Sequence, residues 1–305
     1  MQLQSCIIFD MWHRVQSLIL LNCLLLTSPC NADELDRVSE MVLSMPRQCT
    51  SGLIELRSDA QLDFSASTKK IEQAYEFDRN LQGWGKLSEL DRKVIVGLAS
   101  ESTINTYMHS SMGGRAVGTE MFASHANLYT DRPDLACEVT AHELEHLLMN
   151  RLGAREPAIP VYIFEGVACS LGSRYAISIF GRSKNFQNQR NKLAQLSAAD
   201  ARDVIEHFRL PSAIAQFKQS GKLWAGEHLG GLFIEYLSTI TGNSTSDFFH
   251  KFGSVVLEVA NKVSFENAFA RQFGLSLSEA ERKFISFMDS SENDSSQRFR
   301  GTIFE

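Results

Sequence analysis

The chain has 305 residues, of which 44% are apolar and 22% are charged, proportions typical of a globular protein with a sizeable core. Its formal net charge of −6 at pH 7 leaves no broad basic surface, so we expect no nucleic-acid partner. No internal repeat is visible along the chain.

The N-terminal segment, residues 1–32, has the features of a secretory signal peptide. Its apolar run from Ser17 to Leu26 is too short to span a bilayer comfortably, and the small-residue stretch that ends at Ala32 suits signal peptidase. We expect cleavage after Ala32 and export to the periplasm or the extracellular space; an uncleaved membrane anchor is the alternative. No later segment is long and apolar enough to cross a membrane, so we expect no stable membrane span after cleavage.

The predicted strands lie in the first half of the mature chain. A segment that starts at Cys49 alternates apolar and polar residues as an extended chain would, and Lys93–Ser100 is a compact apolar run closed by a turn. Between them, STKKIEQAYEFDRNLQGWG has apolar residues at helical spacing and ends in glycines, which predicts a helix. The glycine-rich SSMGGRAVGTE predicts a loop, and Ser124–Asp131 predicts another short extended segment.

The second half of the chain has mostly helical periodicity. DLACEVTAHELEHLLMNRLG predicts a long helix that ends at Gly153, and a second helix follows around FEGVACSLGSRYAISIF. Five further segments up to residue 288 have helical spacing, and the polar residues 289–305 predict a disordered tail. The expectation is an α+β fold with an N-terminal α/β lobe at 33–153 and a helical lobe at 154–288.

The sequence HELEH, residues 142–146, places two histidines four positions apart with a glutamate after the first. On a helix, residues four apart share one face, so His142 and His146 can direct both imidazoles at one metal ion. Glu143 is rotated by about 100° from His142, close enough to act as a base beside the metal without ligating it. A solvated helix face that carries these residues by chance is the alternative.

A third ligand would separate a catalytic zinc site from a chance HELEH, because such a site takes three protein ligands and keeps its fourth position open. The extended motif that adds a histidine six residues on is not satisfied, since Leu152 occupies that position. Eighteen residues separate His146 from Glu165, which lies in the second predicted helix. If that helix runs antiparallel to the first, the Glu165 carboxylate can face both imidazoles.

HELEH, the eighteen-residue spacer and the stretch FEGVA at Phe164–Ala168 resemble the pattern of the gluzincin zinc metallopeptidases, in particular the peptidase-MA-like domains related to the aminopeptidase clan. Weaker similarity extends over Lys93–Met288. The resemblance implies a zincin-like fold, in which a small mixed sheet with the active-site helix is followed by a mainly helical C-terminal lobe. It also implies one zinc ion per chain, bound by His142, His146 and Glu165.

The same resemblance gives Glu143 the role of general base, which takes a proton from water and returns it to the leaving amine. A peptide or protein substrate would bind as an additional strand along an edge strand, which we place at residues 124–129. The family's aminopeptidases hold the free amine of the substrate with a Gly-x-Met-Glu-Asn segment, whereas Gly118–Phe122 reads GTEMF here. We therefore favour an endopeptidase over an aminopeptidase and interpret Glu120 as a loop carboxylate.

The donor that stabilises the oxyanion also differs from the family. The family's tyrosine would fall near Glu227, where this chain has no tyrosine but has His228. A histidine could donate to the tetrahedral intermediate, and a surface or helix-packing role for His228 is the alternative. Tyr175, ten residues beyond Glu165, is a second candidate, although it is more typical of a core residue.

Three cysteines remain after removal of the signal peptide, Cys49, Cys137 and Cys169, so at most one intrachain disulfide can form. Cys137 precedes His142 by five residues and Cys169 follows Glu165 by four. Antiparallel helices would bring these two thiols together. A Cys137–Cys169 disulfide that clamps the two helices is one hypothesis, and two buried free thiols are the alternative.

Taken with the signal peptide, the motif predicts an exported zinc-dependent metallopeptidase. The alternative is a non-catalytic, zinc-containing protein of the same fold that binds peptides. The presence of Glu143 argues against this alternative, because a structural site has no need of a base, and the missing tyrosine argues for it. A third interpretation, chance occurrence of HELEH in an unrelated helical protein, requires the spacing of Glu165 to be coincidental as well.

Overall fold

A computed structural model describes residues 32–107, 113–154, 157–181, 183, 192–220, 222–241, 244–290 and 299. The predicted signal peptide lies outside these residues except for Ala32, which begins helix α1 (Ala32–Ser44). Over the described part of the chain, no helix combines the length and the apolarity that crossing a bilayer would need.

A mixed five-stranded sheet is the main feature of the N-terminal half. Its strands are β1 (Arg47–Ser51), β2 (Ile54–Ser58), β3 (Val94–Ala99), β4 (Gly114–Val117) and β5 (Met121–His125). Their spatial order is β1-β2-β3-β5-β4. The three inner strands are mutually parallel, whereas β1 and β4 pair antiparallel at the two edges.

Helices make up most of the remaining structure. After α1 they are α2 (Phe64–Leu81), α3 (Glu101–Tyr107), α4 (Ala126–Asp131), α5 (Pro133–Leu152), α6 (Val161–Phe180), α7 (Ala198–His207), α8 (Pro211–Gln219), α9 (Leu223–Ile240), α10 (Thr245–Ala260), α11 (Phe265–Phe273) and α12 (Leu277–Ser290). A small mixed sheet followed by a mainly helical second half confirms the predicted α+β class.

The sheet separates two cores, and strand β3 shows how. Its alternate residues Val94, Val96 and Leu98 belong to the large core, which is shared with α2, α5 and the later helices. The residues between them face a smaller core under α1, where Val42 packs directly on Gly97. The large core runs without a break from β2 to α12, across the expected boundary between the two lobes.

The predicted edge strand at 124–129 is wrong. Only Ser124 and His125 of that segment are extended, and helix α4 begins at Ala126. Strand β5 is also an inner strand, because β4 pairs with its outer side. The edge strand next to β5 is β4, which lies in the segment that the sequence predicts as a loop. It has four residues and begins at a glycine, so its sequence shows little alternation of apolar and polar residues.

The predicted disordered tail at 289–305 is wrong at three positions. Helix α12 continues through Asp289 to Ser290, and Phe299 is buried in the large core. Burial of a large apolar ring stabilises the folded chain, which composition alone did not indicate for a polar segment. The other residues beyond Ser290 lie outside the described part of the chain.

Helix α6 crosses its two neighbours at backbone contact distance. A Cβ atom at Gly166 would lie 2.4 Å from the carbonyl carbon of Gly230 on α9, and a Cβ atom at Gly172 would lie 2.5 Å from the carbonyl oxygen of Glu138 on α5. No side chain fits into either gap, so both crossings depend on glycine. The second contact also shows that α5 and α6 run antiparallel, since Glu165, at the other end of α6, faces His146.

We predict that Gly166→Ala destabilises the protein by roughly 1–3 kcal/mol, because α9 must move away from α6. Gly231→Ala is the matched control at the same crossing: its Cβ atom would lie 3.4 Å from the Cβ atom of Cys169, which is ordinary contact, and alanine favours the helix by up to about 1 kcal/mol. Equilibrium unfolding in denaturant measures both variants. Equal losses of stability in the two would contradict the tight crossing.

Candidate metal centre

Three ligand-type side chains converge between α5 and α6. The Nε2 atoms of His142 and His146 lie 3.1 Å apart, and the Oε2 atom of Glu165 lies 3.4 Å from the first and 3.3 Å from the second. The two histidines project from successive turns of α5, and Glu165 projects from the second turn of the antiparallel α6. The structure thus brings together all three ligands that the sequence predicts.

The spacing of these donor atoms fits a metal ion of the size of zinc. Tetrahedral coordination with bonds of about 2.0–2.1 Å places neighbouring donors about 3.3 Å apart, and the three distances here are 3.1, 3.3 and 3.4 Å. The three residues form a group that could hold a metal ion. Since they provide one donor each, a fourth coordination position is left for solvent or substrate.

Neighbouring side chains orient both imidazole rings. The His146 ring stacks on Phe164, with ring centroids 4.7 Å apart and an interplanar angle of 18°. The His142 ring lies edge-on to His146 and is hydrogen-bonded to the thiol of Cys169, one helical turn beyond Glu165. Contacts of this kind around the ligands hold the rings in the orientation that a metal requires.

The electrostatics of the metal-free site favour a cation between these groups. Burial opposes ionisation of Glu165, but the imidazoles of His146 and His142 hold its pKa well below its usual range. Burial likewise opposes protonation of His142, but Cys169, Glu165 and Glu143 raise its pKa well above its usual range. The metal-free site therefore retains a proton, which a bound cation would displace.

Glu143 lies beside the ligands and against the edge strand. It is almost fully buried, and it is not a member of the ligand group. A Cβ atom at Gly114, the first residue of β4, would lie 2.8 Å from Glu143 Cγ and 3.0 Å from Glu143 Oε1. Glycine at position 114 thus lets the carboxylate of Glu143 lie directly beneath the edge strand.

Helix α9 contributes two titratable groups to the same region. His228 is buried; burial, together with positive charge on His142 and Lys192, lowers its pKa to about 3, so its ring is neutral and can donate one N–H. Glu227 is partly buried; burial and then the charges of Glu165 and Glu143 raise its pKa to about 8. The sequence indicates His228 as a candidate, whereas no sequence pattern indicates a role for Glu227.

The remaining candidates lie elsewhere. Tyr175 is a core residue whose hydroxyl donates to the carbonyl oxygen of Lys70 at 3.2 Å, so it has no place at the metal site. Glu120 is exposed in the turn between β4 and β5, as its interpretation as a loop carboxylate requires.

The predicted Cys137–Cys169 disulfide is wrong, and the alternative of two buried free thiols is confirmed. The reason is that the two cysteine side chains point in different directions. The thiol of Cys169 contacts the ring of His142, whereas Cys137 lies on another side of α5, among Lys70, Tyr129 and Thr140.

Behind the ligands, α5 buries a second acidic group against α2. Glu145 is fully buried and accepts a hydrogen bond from Gln82 Nε2 at 2.7 Å. Burial raises the pKa of Glu145 to about 8, and burial and the nearby Glu145 raise the pKa of Asp78 well above its usual range. Both oxygens of Asp78 and the second oxygen of Glu145 have no hydrogen-bond partner in the described part of the chain. Burial thus favours the protonated forms of both groups.

Comparison with known proteins gives no assignment: no family model, no curated protein and no solved structure matches the chain.

We predict that Glu145 makes a pH-dependent contribution to the stability of the metal-free protein. Its pKa is raised from 4.5 to about 8 on folding, so this contribution is complete below pH 4.5 and is lost as the pH rises towards 8, by up to about 1.4 kcal/mol per pH unit. Glu145→Gln keeps an acceptor for Gln82 but does not titrate. Relative to the wild type, the variant should become steadily more stable across this pH window in denaturant unfolding; a constant difference would refute the assignment.

Proposed function

We propose that the protein is an exported zinc metallopeptidase with a zincin-like fold, and an endopeptidase rather than an aminopeptidase. The observation that carries the proposal is the convergence of His142, His146 and Glu165 at the donor spacing of tetrahedral zinc, beside a buried glutamate that is not a ligand. Two imidazoles and one carboxylate are the ligand set of several catalytic zinc sites. The resemblance to the gluzincins supports the same assignment.

In this proposal, different side chains transfer the proton and donate a hydrogen bond to the oxyanion. Zinc, when bound, acts as a Lewis acid on the substrate carbonyl and makes water more acidic. Glu143 accepts a proton from the attacking water and delivers it to the leaving amine, as general acid–base catalysis requires. His228, neutral and on the facing helix, is the candidate donor to the oxyanion.

The substrate would bind along β4. This strand is one of the two edges of the sheet, and its first residue, Gly114, lies against Glu143. An extended peptide that pairs with β4 would therefore pass over the base and the open position of the metal site. The edge strand comprises residues 114–117 instead of the predicted 124–129, but the proposed mode of binding is the one that the sequence suggests.

The alternative function is zinc-dependent peptide binding without catalysis, and the absence of a tyrosine near Glu227 favours it. A test must separate metal binding from hydrolysis, because both functions share the metal.

We predict that the mature protein binds one zinc ion and cleaves peptides, and that Glu143→Gln retains the zinc but loses cleavage by at least about 100-fold. Metal analysis and digestion of a mixed peptide library measure the two properties. Glu206→Gln, which removes an exposed acid on α7, is the control and should leave both unchanged. Zinc binding with no cleavage by the wild type would favour the non-catalytic alternative, and cleavage only at peptide ends would overturn the endopeptidase assignment.

We also predict that Gly114→Ala lowers the cleavage rate by about tenfold or more while zinc remains bound, because the new methyl group displaces the Glu143 carboxylate from its position. Gly113→Ala is the matched control: its Cβ atom would contact Val139 at 2.9 Å, and Glu143 is not among its nearest neighbours. Steady-state kinetics with a fluorogenic peptide compares the two variants. Similar rates for both would show that Gly114 does not position the base.

A further inference from the structure

Glu227 faces the candidate site from α9, although it is distant from the motif in sequence. It precedes Gly230 and Gly231 by three and four residues, so it shares their face of the helix. That face lies against α6: Gly230 meets Gly166, and Gly231 lies beside Cys169. The side chain therefore points towards the start of α6, where Glu165 projects into the metal site.

The charges that act on Glu227 confirm this orientation. Its carboxyl group interacts electrostatically with Glu165, Glu143 and His142, three of the four residues at the centre of the site. Within the described residues, Glu227 has no hydrogen bond and no ion pair. The nearby cation Lys192 instead packs over the ring of Trp224. Glu227 is thus an acid that faces the site without a partner of its own.

Burial and the charges of Glu165 and Glu143 oppose ionisation of Glu227. A positively charged group of the substrate beside Glu227 would favour its carboxylate form. In a partly desolvated cleft, the attraction between the two charges is stronger than in water.

On the basis of the proposed function, we infer that Glu227 determines the specificity of the site by binding a positively charged group of the substrate next to the scissile bond. The group is the ammonium or guanidinium of a basic side chain, because an endopeptidase has no free N-terminal amine beside the scissile bond. Either group presents N–H donors that carry a positive charge to the carboxylate. Glu227 is here a substrate-binding residue and takes no part in the proton transfers of Glu143.

Peptide binding to an inactive protein tests the inference without turnover. The proteins are zinc-loaded Glu143→Gln, the same protein with Glu227→Gln, and a control with Glu206→Gln, which removes one equally negative group from the exposed face of α7. The probes are four fluorescent peptides that share one sequence except at fixed internal positions. These positions hold either lysine or glutamine, and each version has either a free or an acetylated N-terminus.

Fluorescence anisotropy should show that the acetylated lysine probe binds about ten- to a hundredfold more tightly than the neutral, acetylated glutamine probe. Glu227→Gln should abolish this preference, and Glu206→Gln should preserve it. A preference carried by the free terminus instead of lysine would overturn the assignment to a basic side chain and would contradict the endopeptidase. Zinc analysis of each protein shows that the site is intact.

The inference would also be overturned by a preference that survives Glu227→Gln, by equal binding of all four probes, or by no binding of any probe. Loss of affinity for all probes alike in Glu227→Gln would equally overturn it, because it would assign Glu227 a role unrelated to charge. The proposed function is tested separately by cleavage with the wild type. A wild-type protein that leaves every peptide intact refutes the peptidase. The charge preference is measured by binding to an inactive variant, so its result does not depend on cleavage.

Discussion

The position of one carboxylate depends on two helix crossings at backbone contact distance. Helix α6 lies against α9 through Gly166 and against α5 through Gly172, so it can move towards neither neighbour. Glu165 adjoins the first of these contacts, and its oxygen lies at 3.3–3.4 Å from two rings on α5. A metal site assembled from two helices tolerates displacements of only about half an ångström. The glycine contacts provide that precision.

The C-terminal end of helix α5 is held in place by hydrogen bonds. Arg151, in its last turn, donates to the carbonyl oxygens of Arg92 at 2.9 Å and Lys93 at 2.6 Å, just before β3, and to that of Thr119 between β4 and β5. The helix is thereby tied to the sheet beneath it. Because Glu143 lies under β4, the same anchoring fixes the distance between the Glu143 carboxylate and the edge strand. In the proposed function, α5 therefore positions both the candidate metal ligands and the base relative to the substrate-binding strand.

The local part of this arrangement could be predicted from the sequence, and the non-local part could not. His142 and His146 share a helix face by spacing alone, and the position of Glu165 followed from a known motif. Glu227 depends on a crossing between α6 and α9, and no local pattern reports which residue of α9 points at α6; the glycine pair one turn later is the only signal. Strand β4 was missed because its four residues include a glycine and have no alternating pattern. The disulfide was wrong because proximity of two helices does not determine the direction of their side chains.

The buried carboxyl groups on the two sides of α5 differ in their ionisation. On the side of α2, burial opposes ionisation of Glu145 and Asp78 more strongly than the positive charge of His142 favours it. On the side of α6, Glu165 stays ionised because the imidazoles of His146 and His142 adjoin it. Direct contact with a positive group thus decides which of these buried carboxyl groups is ionised. Glu227 belongs to the second side but has no positive partner within the described residues, and this difference from Glu165 is the reason for assigning its partner to the substrate.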